Sequence, residues 1–223
     1  MAHLPAMRVL LDGSPVSVDR PTLARALSAG SASARARGRV IIEAKADGVA
    51  LSDDQLGAPS DEPGLMRELT LTSAEPRALV KVTLDDAAIA LRELVDDQKR
   101  AAELIHAGKE NQSLQSLQSI FKTWQNVQEI VAYCGALLER RLDAVAFANA
   151  DTIEAASRRL ASQLQAVKMS LPKQDWSSLA DTLEYDLSEE AQQWVRLLSS
   201  LADYVGTLPA MTDTKVDAGD KRA

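Results

Sequence analysis

Residues 83–106, TLDDAAIALRELVDDQKRAAELIH, decide the architecture. Leu84, Ala88, Leu91, Val95, Gln98, Ala102 and Ile105 follow one another at alternating spacings of four and three, the repeat that keeps one helical stripe against a partner helix. Gln98 is the polar residue on that stripe, and its amide demands a partner, which fixes register. Upstream, Pro76 suits the first turn of the helix, where its missing N–H is not needed. Downstream, Gly108 is expected to close it in a left-handed cap, with Asn111 starting the next helix. There Leu117, Ile120, Trp124, Val127, Val131, Cys134 and Leu138 repeat the same spacing. Two long helices joined by so short a turn lie antiparallel.

The helical period continues to about residue 208. Ile153, Ala156, Leu160, Leu164, Val167 and Leu171 line one face of a third helix, from about Asp151, that Pro172 ends. Asp175 can cap a fourth, lined by Trp176, Leu179, Leu183, Leu187, Trp194, Leu198, Leu201 and Val205. Ser188-Glu189-Glu190 within it marks a kink or a fresh helix start. Residues 76–208 are therefore expected to form an antiparallel four-helix bundle. The aperiodic stretch 209–223 reads as a disordered tail.

Residues 1–75 follow a different grammar. Met7–Leu11 and Val16–Val18 flank Asp12-Gly13-Ser14-Pro15, whose Asp-Gly pair suits a tight hairpin turn. Pro21 and Thr22 open a helix that runs through Arg37 to Gly38. Arg39–Lys45 is a strand, Asp47-Gly48 a turn and Val49–Leu51 a short return strand. After the loop GAPSDEPG at 57–64, Glu68–Thr72 alternates polar and apolar residues as a half-buried strand does.

Hairpin, helix, strand, short strand and final strand over residues 7–73 resemble the β-grasp fold of ubiquitin-like proteins. The likeness is carried most by Ile41-Ile42-Glu43-Ala44-Lys45 and, past Asp47-Gly48, by Leu51-Ser52-Asp53. A ubiquitin-like modifier ends in a Gly-Gly tail, whereas here Glu75-Pro76 leads straight into a helix, so conjugation is not implied. The expected fold class is α+β: a small β-grasp-like N-terminal module followed by the four-helix bundle.

Composition narrows the function. A net charge of −7 and a pI near 5.0 oppose attraction to nucleic acid or anionic lipid. No apolar run reaches the roughly 18 residues of a membrane span, and Asp12, Gly13 and Asp19 interrupt the segment that would have to serve as a secretory signal. The single cysteine, Cys134, forms no internal disulfide, which fits a reducing cytoplasm. The Ala, Arg, Asp and Leu bias looks bacterial.

Residues that carry chemistry are sparse. His3 sits near the terminus, and His106 falls in the last turn of a helix, where the dipole favours its charged form. Glu103 and His106 have the i, i+3 spacing of carboxylate di-iron bundles, but the second such pair those sites need is lacking. Cys134 on an apolar stripe reads as a small buried hydrophobe. The carboxylate pairs Asp85/Asp86, Asp96/Asp97 and Glu189/Glu190 read as solvated helix faces. No catalytic, cofactor-binding or metal-binding residue is assigned.

Two clusters can bind a partner instead. Arg25, Arg35, Arg37 and Arg39 gather at the helix-strand junction of the first module, where they can read an anionic ligand or simply solubilise a helix end. Tyr185 stands among Asp181, Glu184, Asp186, Glu189 and Glu190, with Trp194 beyond, a surface on which a basic partner can dock. Trp124, Trp176 and Trp194 fall on apolar stripes, so core packing is their default.

These residues support a non-catalytic protein-protein interaction module of a bacterial cytoplasm: an adaptor, scaffold or assembly factor with an unidentified protein partner. The long seams also suit a homodimer. One alternative is a dedicated chaperone for one client, because the acidic helical half is similar to flagellar export chaperones. A second is an enzyme with an unfamiliar carboxylate site.

Overall fold

Asp12 and Gly13 take φ angles of 50° and 78°, the pair of left-handed conformations that a two-residue hairpin turn requires. They join β1 (Arg8–Leu11) to β2 (Ser14–Pro15), with Leu11 opposite Ser14 and Leu10 opposite Pro15. The return strand thus comes earlier than the expected Val16–Val18. The turn consumes only two residues, so Ser14 and Pro15 already pair, and the Val16 N–H donates to Val9 O at 2.9 Å as the hairpin ends.

The computed structural model describes residues 7–20, 22–62, 66–147 and 151–209. His3, Pro21 and the tail segment 210–223 lie outside them. The protein is α+β, with a small mixed sheet near the N-terminus and helices after it. It divides into two compact units, one holding the N-terminal residues through Ala78 and the other spanning Leu79–Leu208.

In the first unit α1 (Leu23–Arg35) starts at Thr22, whose hydroxyl oxygen accepts from Arg25 N at 3.2 Å and donates to Asp61 at 3.1 Å. The helix ends two residues before the expected Arg37, and the chain turns away through Gly38 at φ 65°. Then come β3 (Val40–Ala46), the Asp47-Gly48 turn and β4 (Val49–Ala50). The segment from Ser52 forms a short α2 (Asp53–Gly57), closed by a capping box between Ser52 and Gln55. The last strand is β5 (Glu68–Ala74).

The sheet order is β2-β1-β5-β3-β4. β1 and β5 run parallel and the other neighbours antiparallel, with a register shift in β3 between Ile41 and Glu43. Alternation along β5 buries Leu69, Leu71 and Ser73. Leu69 and Leu71 join Val9, Leu11, Ala26, Ala34 and Ala44 in one core. α1 approaches closely because Gly30 faces the sheet: a Cβ there would stand 2.1 Å from Leu71 Cδ1.

The second unit is helical: α3 (Pro76–His106), α4 (Glu110–Leu137), a 3₁₀ turn at Leu142–Ala144, α5 (Ile153–Ser170), α6 (Trp176–Asp181) and α7 (Leu187–Thr207). Both seams read from the sequence are buried along their whole length. They are covered within one chain, so neither needs a second copy to cover it. Gly108 takes φ 66° as expected, but α4 begins at Glu110 without a side-chain cap rather than at Asn111. Thr152 caps α5 by accepting from Ala155 N, and Asp175 caps α6 by accepting from Ser178 N.

A π-helical turn, Thr182–Asp186, joins α6 to α7. Its cause is legible in the spacing. Leu179, Leu183, Leu187 and Ala191 follow at three intervals of four. At 3.6 residues per turn each interval drifts by about 40°, so the last would face about 120° away from the first. One wider turn absorbs the extra residue and keeps all four side chains buried.

Candidate functional site

Beneath that turn a layer of polar side chains crosses the hydrophobic interior. Gln98 of α3 is fully buried, at 0% exposure. In the amide orientation that satisfies both of its ends, Nε2 donates to Leu187 O at 3.3 Å and Oε1 accepts from Trp124 Nε1 at 3.2 Å. The Ser188 hydroxyl donates to Leu183 O, five residues back, at 3.0 Å and lies 3.5 Å from the Gln98 carboxamide. The extra backbone of the wide turn is thereby held by side chains of α3 and α7.

The layer continues through Glu190, which is 2% exposed. Its Oε1 accepts from Trp194 Nε1 at 3.0 Å, and Arg159 of α5 reaches it with Nε at 3.2 Å and Nη2 at 3.4 Å. Arg159 also donates to Gln193 at 3.0 Å and pairs with Asp151. Burial works against the Arg159 charge, but the bonds and charges of Glu190 and Asp151 outweigh it and hold the guanidinium above its ordinary range. A carboxylate this deep is tolerated only with such partners, because isolating it would cost several kcal/mol, on the order of 3 to 5.

Above the layer lies the acidic surface. Tyr185 is 61% exposed, Asp181, Asp186 and Glu189 are exposed, and Glu184 is half-buried. Glu184 Oε2 lies 3.6 Å from His106 Nε2, and Glu189 accepts from Gln193 Nε2 at 3.2 Å. The neighbouring Glu184 carboxylate, then burial and the Asp181 charge, push the phenol above its ordinary range.

Two expected members of this surface stand elsewhere. Trp194 is fully buried and cannot touch a partner. It sits on the core side of α7, with its N–H spent on Glu190. Glu190 likewise faces inward rather than belonging to a solvated Glu189/Glu190 pair, because adjacent helical residues point about 100° apart.

The basic cluster does not act as one group. Arg35 and Arg37 are exposed at the end of α1, and Arg25 lies 3.8 Å from Asp61. Arg39 is committed to the fold: Nε donates to Ser73 Oγ at 2.7 Å, Nη2 to Ser73 O at 2.5 Å, and Asp12 lies 3.7 Å away. It ties β3 to β5 and is not free to read an anionic ligand.

The remaining candidates are accounted for by packing. Burial pushes the Cys134 thiol up to about 11, which keeps it protonated at neutral pH. Among the described residues no group of three or more His, Cys, Asp or Glu side chains is placed to hold a metal ion. Among the same residues no helix is long and apolar enough to cross a membrane.

Residues 83–197 match the family described as Domain of unknown function (DUF8042). The match covers just over half of the chain, which belongs to that family. It falls in the helical unit and takes in the whole polar layer, from Gln98 to Trp194. No curated protein and no solved structure matches the chain.

Proposed function

We propose that the protein is a non-catalytic interaction module, an adaptor, scaffold or assembly factor, and that it docks a basic protein segment on the surface around Tyr185. One observation carries this reading: an exposed aromatic side chain ringed by carboxylates sits on a wide helical turn that buried hydrogen bonds hold from beneath. Such a surface is presented ready-made, so binding loses little conformational freedom. Aromatic residues in polar surroundings are favoured anchors at protein interfaces.

The same reading takes the first unit as a β-grasp-like module and the second as an antiparallel helical bundle. The order β2-β1-β5-β3-β4 with its central parallel pair supports the former. The cross-links from α3 to α4 and α7 support the latter. A cytoplasmic setting fits a chain whose one cysteine is buried and reduced.

Affinity capture from cells, run side by side with the native chain and with a triple variant, Asp181→Lys, Asp186→Lys and Glu189→Lys, tests the docking surface. The native chain should retain a basic partner that the variant loses, while both melt alike. Equal capture by the two would move the interface elsewhere. A single stoichiometric client would recast the protein as a dedicated chaperone, and a mass twice that of the chain with nothing else bound would make it a homodimer.

A further inference from the structure

Arg25 has a neighbour that the sequence cluster left out. Residues 17–20, which follow β2, and one face of α1 enclose a hollow of about 380 Å³. Arg20 lines it from the first wall. Arg25, Ser28 and Ala32, at helical spacings of three and four, line it from the second. That volume lies in the range of small-molecule sites, roughly 300 to 1,000 Å³, and the whole hollow belongs to the first unit.

Charge makes the hollow selective. Arg25 stands in the first turn of α1, which holds no acidic residue. A cation there adds to the positive end of the helix dipole, where carboxylates are the usual occupants. Among the described residues Arg20 has no ion pair. Arg25 has a loose one, with Asp61 at 3.8 Å and both side chains more than half exposed. That distance is beyond a hydrogen bond, so the guanidinium keeps its donors for another oxyanion. Backbone donors at the helix start are spent, because Thr22 Oγ1 accepts from Arg25 N and Ser60 O from Ala24 N. Recognition here therefore falls to side chains.

We propose that this hollow binds a small ligand with one oxyanion head, a carboxylate or a phosphate, on a short apolar body. Arg20 and Arg25 hold the head, since the planar guanidinium fork matches both groups. The Ser17 and Ser28 hydroxyls are the neutral donors beside them. Val18, Ala29 and Ala32 supply the apolar wall, and the two alanines leave room that larger side chains would fill. Asp19 also lines the hollow and repels a second negative group, which works against polyanions. The site lies in a different unit from the acidic surface around Tyr185 and does not depend on it.

Titration of the full chain with butyrate and with butyl phosphate, followed through the backbone amide resonances of Ser17, Ser28 and Ala29, tests the site. At least one probe should shift them along a saturating curve with a Kd of about 1 mM, as so few contacts allow. The probe that binds more tightly names the head. Arg20→Gln should weaken it about tenfold, the worth of one charge-assisted hydrogen bond. Ser28→Leu keeps every charge and should block it by filling the hollow, whereas Arg35→Gln, at the far end of α1, should leave it unchanged. Failure of both probes to saturate by about 20 mM would overturn the proposal. So would equal weakening by Arg20→Gln and Arg35→Gln, or undiminished binding by Ser28→Leu, because each would mean that the anions gather by charge alone.

Discussion

Trp124 and Trp194 meet edge to face inside the helical unit, with ring centroids 5.9 Å apart and planes at 74°. Each indole N–H ends on a different buried side chain, Gln98 for the first and Glu190 for the second. Edge-to-face aromatic pairs contribute about 1 kcal/mol beyond the area they bury. The two polar partners fix where each ring can sit, so tryptophan emission reports on the layer directly.

Truncating Gln98 strips two buried groups of their partner at once, the Trp124 N–H and Leu187 O. Gln98→Ala should therefore destabilise the helical unit by about 2 to 4 kcal/mol, part from unsatisfied polar atoms and part from the cavity. Urea unfolding followed by tryptophan emission measures it. A loss below about 0.5 kcal/mol, the size of an ordinary surface substitution, would mean that the amide is not holding the layer.

The Arg159–Glu190 pair should behave as a unit. Arg159→Met alone leaves a buried carboxylate short of its cation and should cost about 3 kcal/mol. Adding Glu190→Gln removes that stranded charge, so the double variant should be more stable than the sum of the two single losses implies. The difference, about 1 to 2 kcal/mol in a double-mutant cycle, is the coupling. Simple additivity would show that the two side chains do not depend on each other.

Gly30→Ala sets two effects in opposition. Alanine favours the helix by about 1 kcal/mol, but its methyl must displace Leu71, and overpacking costs about 1 to 3 kcal/mol. The variant should be less stable than the native chain. Leu71→Ala should then cost less in the Gly30→Ala background than in the native one, because the smaller residue makes room. Thermal melts of the four proteins decide the point, and an unqualified gain from Gly30→Ala would mean that α1 moves off the sheet freely.

Acid should weaken the first unit through Asp12. Bonds from the Ser73 hydroxyl and N–H, and then the charges of Arg39 and Arg37, outweigh burial and hold its carboxyl below the ordinary 3.8. Because the folded form binds this proton less readily than the unfolded chain, the stabilisation is complete above that value. It is lost as pH falls from there through the lowered one. Asp12→Asn keeps a residue that tolerates φ 50° and should flatten the acid limb of a stability-against-pH curve. A curve unchanged by the substitution would assign the acid sensitivity to other carboxylates.

Much of this architecture was readable from the residues, and the reasons for the rest are physical. Three-four spacing located both long seams because burial selects one helix face, whereas the break expected at Ser188-Glu189-Glu190 lies just before it, in the π turn Thr182–Asp186. The hairpin was found from Asp12-Gly13, but its pairing began two residues sooner than expected because turn length, not apolar content, sets where a ladder starts. The acidic surface around Tyr185 could be read as a cluster. The inward carboxylate could not: Glu190 and Arg159 are 31 residues apart on different helices, and each alone has the pattern of a solvated charge. Arg39 escaped for the same reason, since its acceptors on Ser73 come from a strand 34 residues on.

Cys134 gives the helical unit its own stopwatch. It is the chain's single thiol, buried on the seam of α4 and protonated at neutral pH. A thiol reagent can reach it only when the surrounding helices part, so the speed of labelling at high reagent concentration times that parting. Cysteines placed on the surface for fluorescent or spin labels would meanwhile react first, without any need to remove the native one.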